Sequence, residues 1–143
     1  MTFVARCTPF AFVALTACAP SQDVAMPEPA EGALLFAQNC AICHGANGQG
    51  GSTGTDGPPP ADLTRLALAN GGVFPREMVL TTVDGYNRQA LGDQRMPEFG
   101  GFLGGETVPL DVSGTASAED ANLTPVPRAL AALVAYLETL QVK

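Results

Sequence analysis

The residues that most constrain this chain are Cys40-Ala-Ile-Cys43-His44, two thiols three positions apart with an imidazole directly after them. Two thiols at this spacing can reach the two vinyl groups on one edge of a haem, and the histidine that follows is carried to the iron. A structural zinc site needs four Cys or His ligands, and this chain has a single His. The pattern therefore predicts one covalent haem c, attached through Cys40 and Cys43, with His44 as an axial ligand of its iron.

The first residues of the chain have the layout of an export signal. Arg6 supplies a positive charge, and an apolar run over residues 10–17 follows that is too short to span a bilayer. The run ends in Leu15-Thr16-Ala17-Cys18, which resembles a bacterial lipobox. We therefore expect residues 1–17 to be a lipoprotein signal peptide and Cys18 to carry a diacylglycerol anchor. Ordinary cleavage after Ala19 and an uncleaved anchor are the alternatives.

The next stretch, residues 18–30, combines the lipid attachment point with Pro-rich sequence that lacks apolar periodicity, so it is expected to be a flexible tether. Residues 31–143 then form one domain of ordinary size. Of the 7 basic residues only Arg6 precedes Cys18, whereas the 14 acidic residues all follow it, so the mature chain carries a formal charge of −8. This charge argues against nucleic acid as a partner and favours a basic docking surface on a redox protein, with an apolar contact patch around the haem edge as the alternative.

Two segments at the ends of this domain carry a resemblance to class I cytochromes c. Near its start, Gly32 and Phe36 lie one helical turn apart on an amphipathic face. Near its end, Leu133-Val-Ala-Tyr136 matches the L-x-x-Y contact of that family. The resemblance implies an all-α cytochrome c fold, in which the first and last helices cross at close range and short helices and loops surround one haem.

The segments between these ends are expected to be short helices and loops. Helices are predicted over residues 62–68 and 75–84, the second with Pro75 at its first position and Gly85 as its stop, and the last helix should begin near Pro125 or Pro127. Residues 47–62 are a loop by their Gly and Pro content. In the family, a proline carbonyl of this loop accepts a hydrogen bond from the ligand histidine. Three prolines here are candidates, and Pro59 is favoured.

The sixth ligand of the iron is expected to be Met96, which precedes Pro97 in a Gly-bounded loop and matches the family's Met-Pro segment. Met26 lies in the tether, and Met78 lies on a predicted helix where methionine commonly fills core space. An open sixth site is the remaining alternative. A thioether favours Fe(II) and raises the reduction potential, and two filled axial positions leave no place for a substrate.

The other polar residues point less directly to a site. Arg88 and Arg95 are candidates to form forked hydrogen bonds with the haem propionates. Residues 100–124 exceed what a minimal cytochrome needs, and Thr107-Val-Pro-Leu-Asp-Val112 could form a short strand or an extended surface segment.

The sequence thus predicts a single-electron carrier of the bacterial periplasm, held by lipid to the inner or outer membrane, rather than an enzyme. Its partners would be a redox donor and a redox acceptor. A haem subunit of a larger periplasmic dehydrogenase or reductase is the alternative, and a haem-based sensor, in which Met96 would have to leave the iron, is a third.

Overall fold

The computed structural model describes residues 25–51, 59–86, 96–114 and 123–143. The predicted leader, Cys18, Arg88 and Arg95 lie outside these ranges. The described part of the chain contains the following elements in order: α1 (Pro29–Asn39), α2 (Ala41–His44), a 3₁₀ turn (Leu63–Arg65), α3 (Leu66–Ala69), α4 (Arg76–Asp84), β1 (Thr107–Asp111), β2 (Leu123–Pro127) and α5 (Arg128–Thr139).

Helix α1 begins at Pro29, two residues before the predicted start of the domain. A capping box stabilises this end, since the side chains of Glu28 and Glu31 each accept a hydrogen bond from the main-chain N–H of the other residue. Arg128 also donates to the Ala25 carbonyl at 2.7 Å. The end of the predicted tether is therefore attached to the domain from Ala25 onward.

Helices α1 and α5 cross at close range, as the resemblance implied. Gly32 lies against the main chain of Ala132, where a Cβ would overlap the carbonyl oxygen. One turn later the rings of Phe36 and Tyr136 meet in a tilted arrangement with centroids 5.4 Å apart. The contact predicted from both ends of the domain is confirmed.

The apolar face of α5 forms the centre of the core. Its buried residues are Leu130, Ala131, Ala132, Leu133, Val134 and Leu137. The helix begins after Pro127 rather than at Pro125, because a residue that precedes a proline is disfavoured in helical conformation and Val126 stands between the two prolines. Of the two predicted starts, Pro127 is the one confirmed.

The described part of the chain is mainly helical, as predicted, and it also contains a two-stranded ribbon that the predicted all-α class did not include. β1 and β2 pair as an antiparallel ribbon with Val108 opposite Val126. Along β1, Val108 and Leu110 are buried while their neighbours Thr107 and Pro109 are exposed. This alternation has the period of a strand, and it packs one face of the ribbon on the core. The strand considered for residues 107–112 is therefore present, and β2 is its unpredicted partner.

Helix α4 ends at Asp84 as predicted but begins at Arg76, so Pro75 lies just before the first turn and not at the first helical position predicted for it. Gly85 ends the helix in the left-handed region at φ 104°, a conformation that glycine adopts without strain. Near the start of the helix, Arg76 forms a forked pair with Glu138 of α5, with Nε–Oε1 at 2.6 Å and Nη2–Oε2 at 3.2 Å. Its remaining nitrogen, Nη1, donates to the Asp111 carbonyl of β1 at 2.9 Å. One guanidinium group thus joins α4, β1 and α5.

Candidate haem site

The two motif cysteines are positioned by the junction of α1 and α2. Cys40 ends α1 and precedes α2, and its carbonyl accepts from the N–H groups of Cys43 at 3.1 Å and His44 at 2.9 Å. Residues three positions apart on a helical turn project to the same side. Both cysteines are free thiols, and Cys43 is exposed. The turn therefore presents two unbonded sulfurs from one short segment.

The two thiols differ in their surroundings. Cys40 packs against the hydrophobic core, and this burial, with a smaller contribution from Cys43, raises the pKa of its thiol to about 11. At neutral pH Cys40 is therefore protonated. Ile42, between the two cysteines, has 86% of its surface exposed, so the outer side of the motif faces solvent.

The ring of His44 is oriented by the main-chain carbonyl of Ala61. Nδ1 lies 3.0 Å from the carbonyl oxygen of Ala61. Because a carbonyl oxygen only accepts, Nδ1 carries the proton of the neutral ring and the lone pair is left on Nε2. A histidine fixed in this tautomer can bind a metal through the lone pair of Nε2.

The carbonyl at this position belongs to Ala61, which corrects the prediction of Pro59. The peptide group between Ala61 and Asp62, just before the 3₁₀ turn, lies beside the imidazole ring. Asp62 fixes this turn, since its Oδ1 accepts from the Thr64 N–H at 2.9 Å and from the Thr64 hydroxyl at 2.6 Å. These hydrogen bonds, the hydroxyl's first, lower the pKa of Asp62.

The loop that follows His44 is tied to the same turn. The Leu63 N–H donates to the Gly48 carbonyl at 2.7 Å, and the Gly50 N–H donates to the His44 carbonyl at 2.8 Å. Gly50 approaches the Pro60 carbonyl so closely that a Cβ would contact it at 2.8 Å. The residues on both sides of Ala61 thus contact the loop that follows His44.

Met96 lies half-buried at the start of a described segment that is attached to the end of α4. The Phe99 N–H donates to the Val83 carbonyl at 2.9 Å, and the Gly100 N–H donates to the Asp84 carbonyl at 3.3 Å. These bonds satisfy carbonyls that the end of a helix leaves without partners. Met78, the rival ligand, has 50% of its surface exposed, so the expectation that it fills core space is wrong.

Cys40, Cys43 and His44 together fit a covalently attached haem, and Met96, on the segment attached to α4, is a further donor for its iron. Cys40 and Cys43 offer two free thiols, and His44 offers an available Nε2 from the next residue. A neutral thioether sulfur exists in Met96. Within the described ranges, no cluster of three or more His, Cys, Asp and Glu side chains is arranged to hold a metal ion directly.

The sequence missed two features of this site. The Ala61 carbonyl is a main-chain group, which residue type does not identify. The Gly and Pro content of its loop was the one signal in the sequence for this region. Gln141, whose side chain contacts the 63–67 region, had no local signal at all because its partners lie 74 and 78 residues away.

None of the helices in the described segments is long and apolar enough to cross a membrane.

A family model described as "Cytochrome C oxidase, cbb3-type, subunit III" matches residues 27–108. This range is more than half of the 143 residues, and it runs from just before α1 into β1. It includes the paired cysteines, His44, Ala61 and Met96. Searches of curated proteins and of solved structures returned no match.

Proposed function

The chain belongs to the family described as cytochrome C oxidase, cbb3-type, subunit III, and we propose that it is a single-electron carrier with one covalently bound haem c. Membership supports a c-type cytochrome domain that binds haem and takes part in electron transport. The observation that carries the proposal is the His44 ring, whose Nδ1–H is committed to the Ala61 carbonyl directly after two free thiols.

Each residue of the motif has a separate role in this proposal. The thiols of Cys40 and Cys43 would add across the two vinyl groups, each sulfur forming a bond to carbon while its hydrogen passes to the adjacent carbon. His44 would bind the iron through Nε2, and Met96 would supply the second axial ligand. When bound, the haem supplies a reversible one-electron couple.

The same ligand set favours electron transfer over catalysis. With His44 and Met96 both on the iron, no coordination position is left for a substrate. The hydrogen bond from Nδ1 to Ala61 increases the donor strength of His44, whereas the neutral Met96 sulfur favours the reduced iron. His44 and Met96 would together set the reduction potential of the iron, and electron transfer makes no bond to a substrate. We therefore propose that the protein is not an enzyme.

We also propose that the domain acts on the outer side of a bacterial cytoplasmic membrane, held by lipid on Cys18. Cytochrome c domains of this type are typically extracytoplasmic. The supporting sequence features are the apolar run that ends in Leu15-Thr16-Ala17-Cys18 and the Pro-rich tether after it. Mass spectrometry of the mature N-terminus tests the anchor: a diacylated Cys18 supports it, and an unmodified chain that begins after Ala19 contradicts it.

A second candidate function follows from the family's description, which names a subunit of a larger oxidase. The protein would then work docked in a membrane complex, as a haem subunit of a dehydrogenase, reductase or oxidase, instead of diffusing between partners. Purification from native membranes separates the two: a stoichiometric partner that survives size-exclusion chromatography supports the subunit, and a monomeric red protein supports the carrier.

Acid–acetone extraction tests the haem proposal most directly. The mature protein should keep its haem in the protein fraction, with the absorption bands of a two-thioether haem c. Cys43→Ala should leave at most one thioether and shift these bands, while Met78→Leu serves as a control outside the motif. Complete extraction of haem from the unaltered protein would contradict the proposal.

A further inference from the structure

The side chain of Gln141 forms hydrogen bonds with main-chain groups of residues 63–67. This segment follows Ala61, whose carbonyl lies beside the His44 ring. Its Oε1 accepts from the Ala67 N–H at 2.9 Å, and its Nε2 donates to the Leu63 carbonyl at 2.8 Å. Ala67 and Leu63 are four residues apart, the pair that an unbroken α-helix joins directly. The glutamine amide bridges this N–H and this carbonyl, since it offers a donor and an acceptor in the same plane.

The Gln141 bridge coincides with a break in the helix. Residues Leu63–Arg65 form a 3₁₀ turn, and Arg65 has φ −115° and ψ 11° before α3 begins at Leu66. A side chain inserted into the helical ladder is one of the recognised causes of a kink. Val142 adds a second bond to the same break, from its N–H to the Thr64 carbonyl at 2.9 Å.

The amide is fixed at its own end as well. Nε2 also donates to the Leu137 carbonyl at 2.8 Å, in the last turn of α5. Gln141 is partly buried, and its three hydrogen bonds use both amide hydrogens and one lone-pair direction of the oxygen. Gln141 therefore connects the last turn of α5 to Leu63, because its Nε2 donates to a carbonyl of each.

Leu63 connects this contact to the haem ligand. It lies two residues after Ala61, whose carbonyl holds the His44 ring, and its own N–H donates to the Gly48 carbonyl in the loop after His44. We infer that Gln141 is a positioning residue for His44: it fixes residues 61–63 so that the Ala61 carbonyl stays in line with Nδ1–H. This inference rests on the proposed function, because its consequence is a property of the bound iron.

The consequence is a lower reduction potential. A strong hydrogen bond from Nδ1–H makes Nε2 a stronger donor, which stabilises the oxidised iron. In Gln141→Met the Ala67 N–H and the Leu63 carbonyl can bond directly, which would straighten residues 63–67 and draw Ala61 away from His44. The potential should then rise, the His44 Nδ1–H proton resonance should move upfield, and that proton should exchange faster with solvent.

The experiment compares the intact haem protein with Gln141→Met and with Gln38→Met, a matched change at an exposed glutamine of α1. A rise in potential and faster Nδ1–H exchange in the first variant alone support the inference. A lower unfolding temperature with both His44 readouts unchanged would show that Gln141 only stabilises the fold, and would overturn it. A wild-type protein without bound haem would refute the proposed function instead.

A second variant covers the case in which Gln141→Met does not mature. In Gln141→Glu at neutral pH the carboxylate can accept from Ala67 but cannot donate to Leu63, so the His44 Nδ1–H proton should exchange faster with solvent than in wild type. Exchange is the readout for this variant because the added negative charge by itself lowers the reduction potential. Below the pKa of the new carboxyl group, the protonated acid again offers a donor and an acceptor, and the difference from wild type at the same pH should shrink. A difference that is absent at neutral pH, or that does not shrink, contradicts the inference.

Discussion

Gly32 of α1 lies against the main-chain carbonyl of Ala132 in α5, at a separation that leaves no room for a Cβ atom. The contact is between backbones, so neither side can move aside by changing a rotamer. The two helices cross this closely because Gly32 has no side chain. The position of the segment that carries the cysteines depends on this crossing.

Gly32→Ala should therefore lower the free energy of unfolding by about 1–3 kcal/mol, the usual range for overpacking a well-packed contact. Gly101→Ala is the matched control, because a Cβ at that position would meet nothing within 4 Å. Chemical denaturation of both variants measures the difference. Equal stability of the two would show that the helices separate without cost.

Helices α1 and α5 were predictable because their signals are local, whereas their crossing was predicted from the resemblance to class I cytochromes c. A glycine and an aromatic residue one turn apart in α1, and the leucine and tyrosine of α5, each stand on an amphipathic face whose period identifies a helix. Gly85 likewise ends α4 where predicted, since its left-handed conformation is a property of that residue.

The remaining features depend on contacts that local sequence does not encode. Pro59 and Ala61 offer chemically equivalent carbonyls, and only the path of the loop places one of them beside His44. Strand β2 is recognisable only through its pairing with β1. Gln141 has the same difficulty, because a polar residue just beyond a final helix ordinarily faces solvent.

Arg76 should contribute more to stability than an exposed arginine. Its guanidinium is bonded to both carboxylate oxygens of Glu138 and to the Asp111 carbonyl, and its side chain is only 24% exposed. Arg76→Met should reduce the free energy of unfolding by about 1–3 kcal/mol, because it leaves these acceptors without a charged partner. Arg65→Met, at an exposed position, should have little effect. Losses of equal size in the two variants would contradict this.

Glu31 should make stability depend on pH in a defined direction. Its hydrogen bond with Arg128 is the largest of the causes that hold its pKa below the ordinary value of 4.5. A lowered pKa in the folded state means stabilisation that is fully present above pH 4.5 and is lost as the pH falls through the folded-state value. Glu31→Gln should thus be destabilising near neutral pH, and its difference from wild type should narrow in acid.

Urea unfolding at several pH values between 7 and 3 measures the difference in free energy of unfolding between Glu31→Gln and wild type. Glu77→Gln, an exposed carboxylate on α4, provides the control. A difference between Glu31→Gln and wild type that stays constant over the whole range would show that the Arg128 pair does not act through the carboxylate charge.

The acidic surface should speed encounter with a basic redox partner. The mature chain carries a formal charge of −8, and two of its arginines, Arg76 and Arg128, already pair with carboxylates of the domain. Electron exchange should slow as ionic strength rises, because charges more than about 8–10 Å apart are screened at physiological salt. Stopped-flow mixing with a small basic redox protein measures the rate. Independence from salt would favour apolar docking or permanent assembly.

Met96, and not Met78, should determine the spectrum of the oxidised protein. Phe99 and Gly100 attach the Met96 segment to the last carbonyls of α4, whereas Met78 is half-exposed on the same helix. Met96→Ala should abolish the weak long-wavelength absorption band that a Met–Fe(III) bond produces, and it should lower the reduction potential because the soft neutral ligand is lost. Met78→Leu should retain both properties, at a cost below about 1.5 kcal/mol. If the band disappears in Met78→Leu and persists in Met96→Ala, the ligand assignment is reversed.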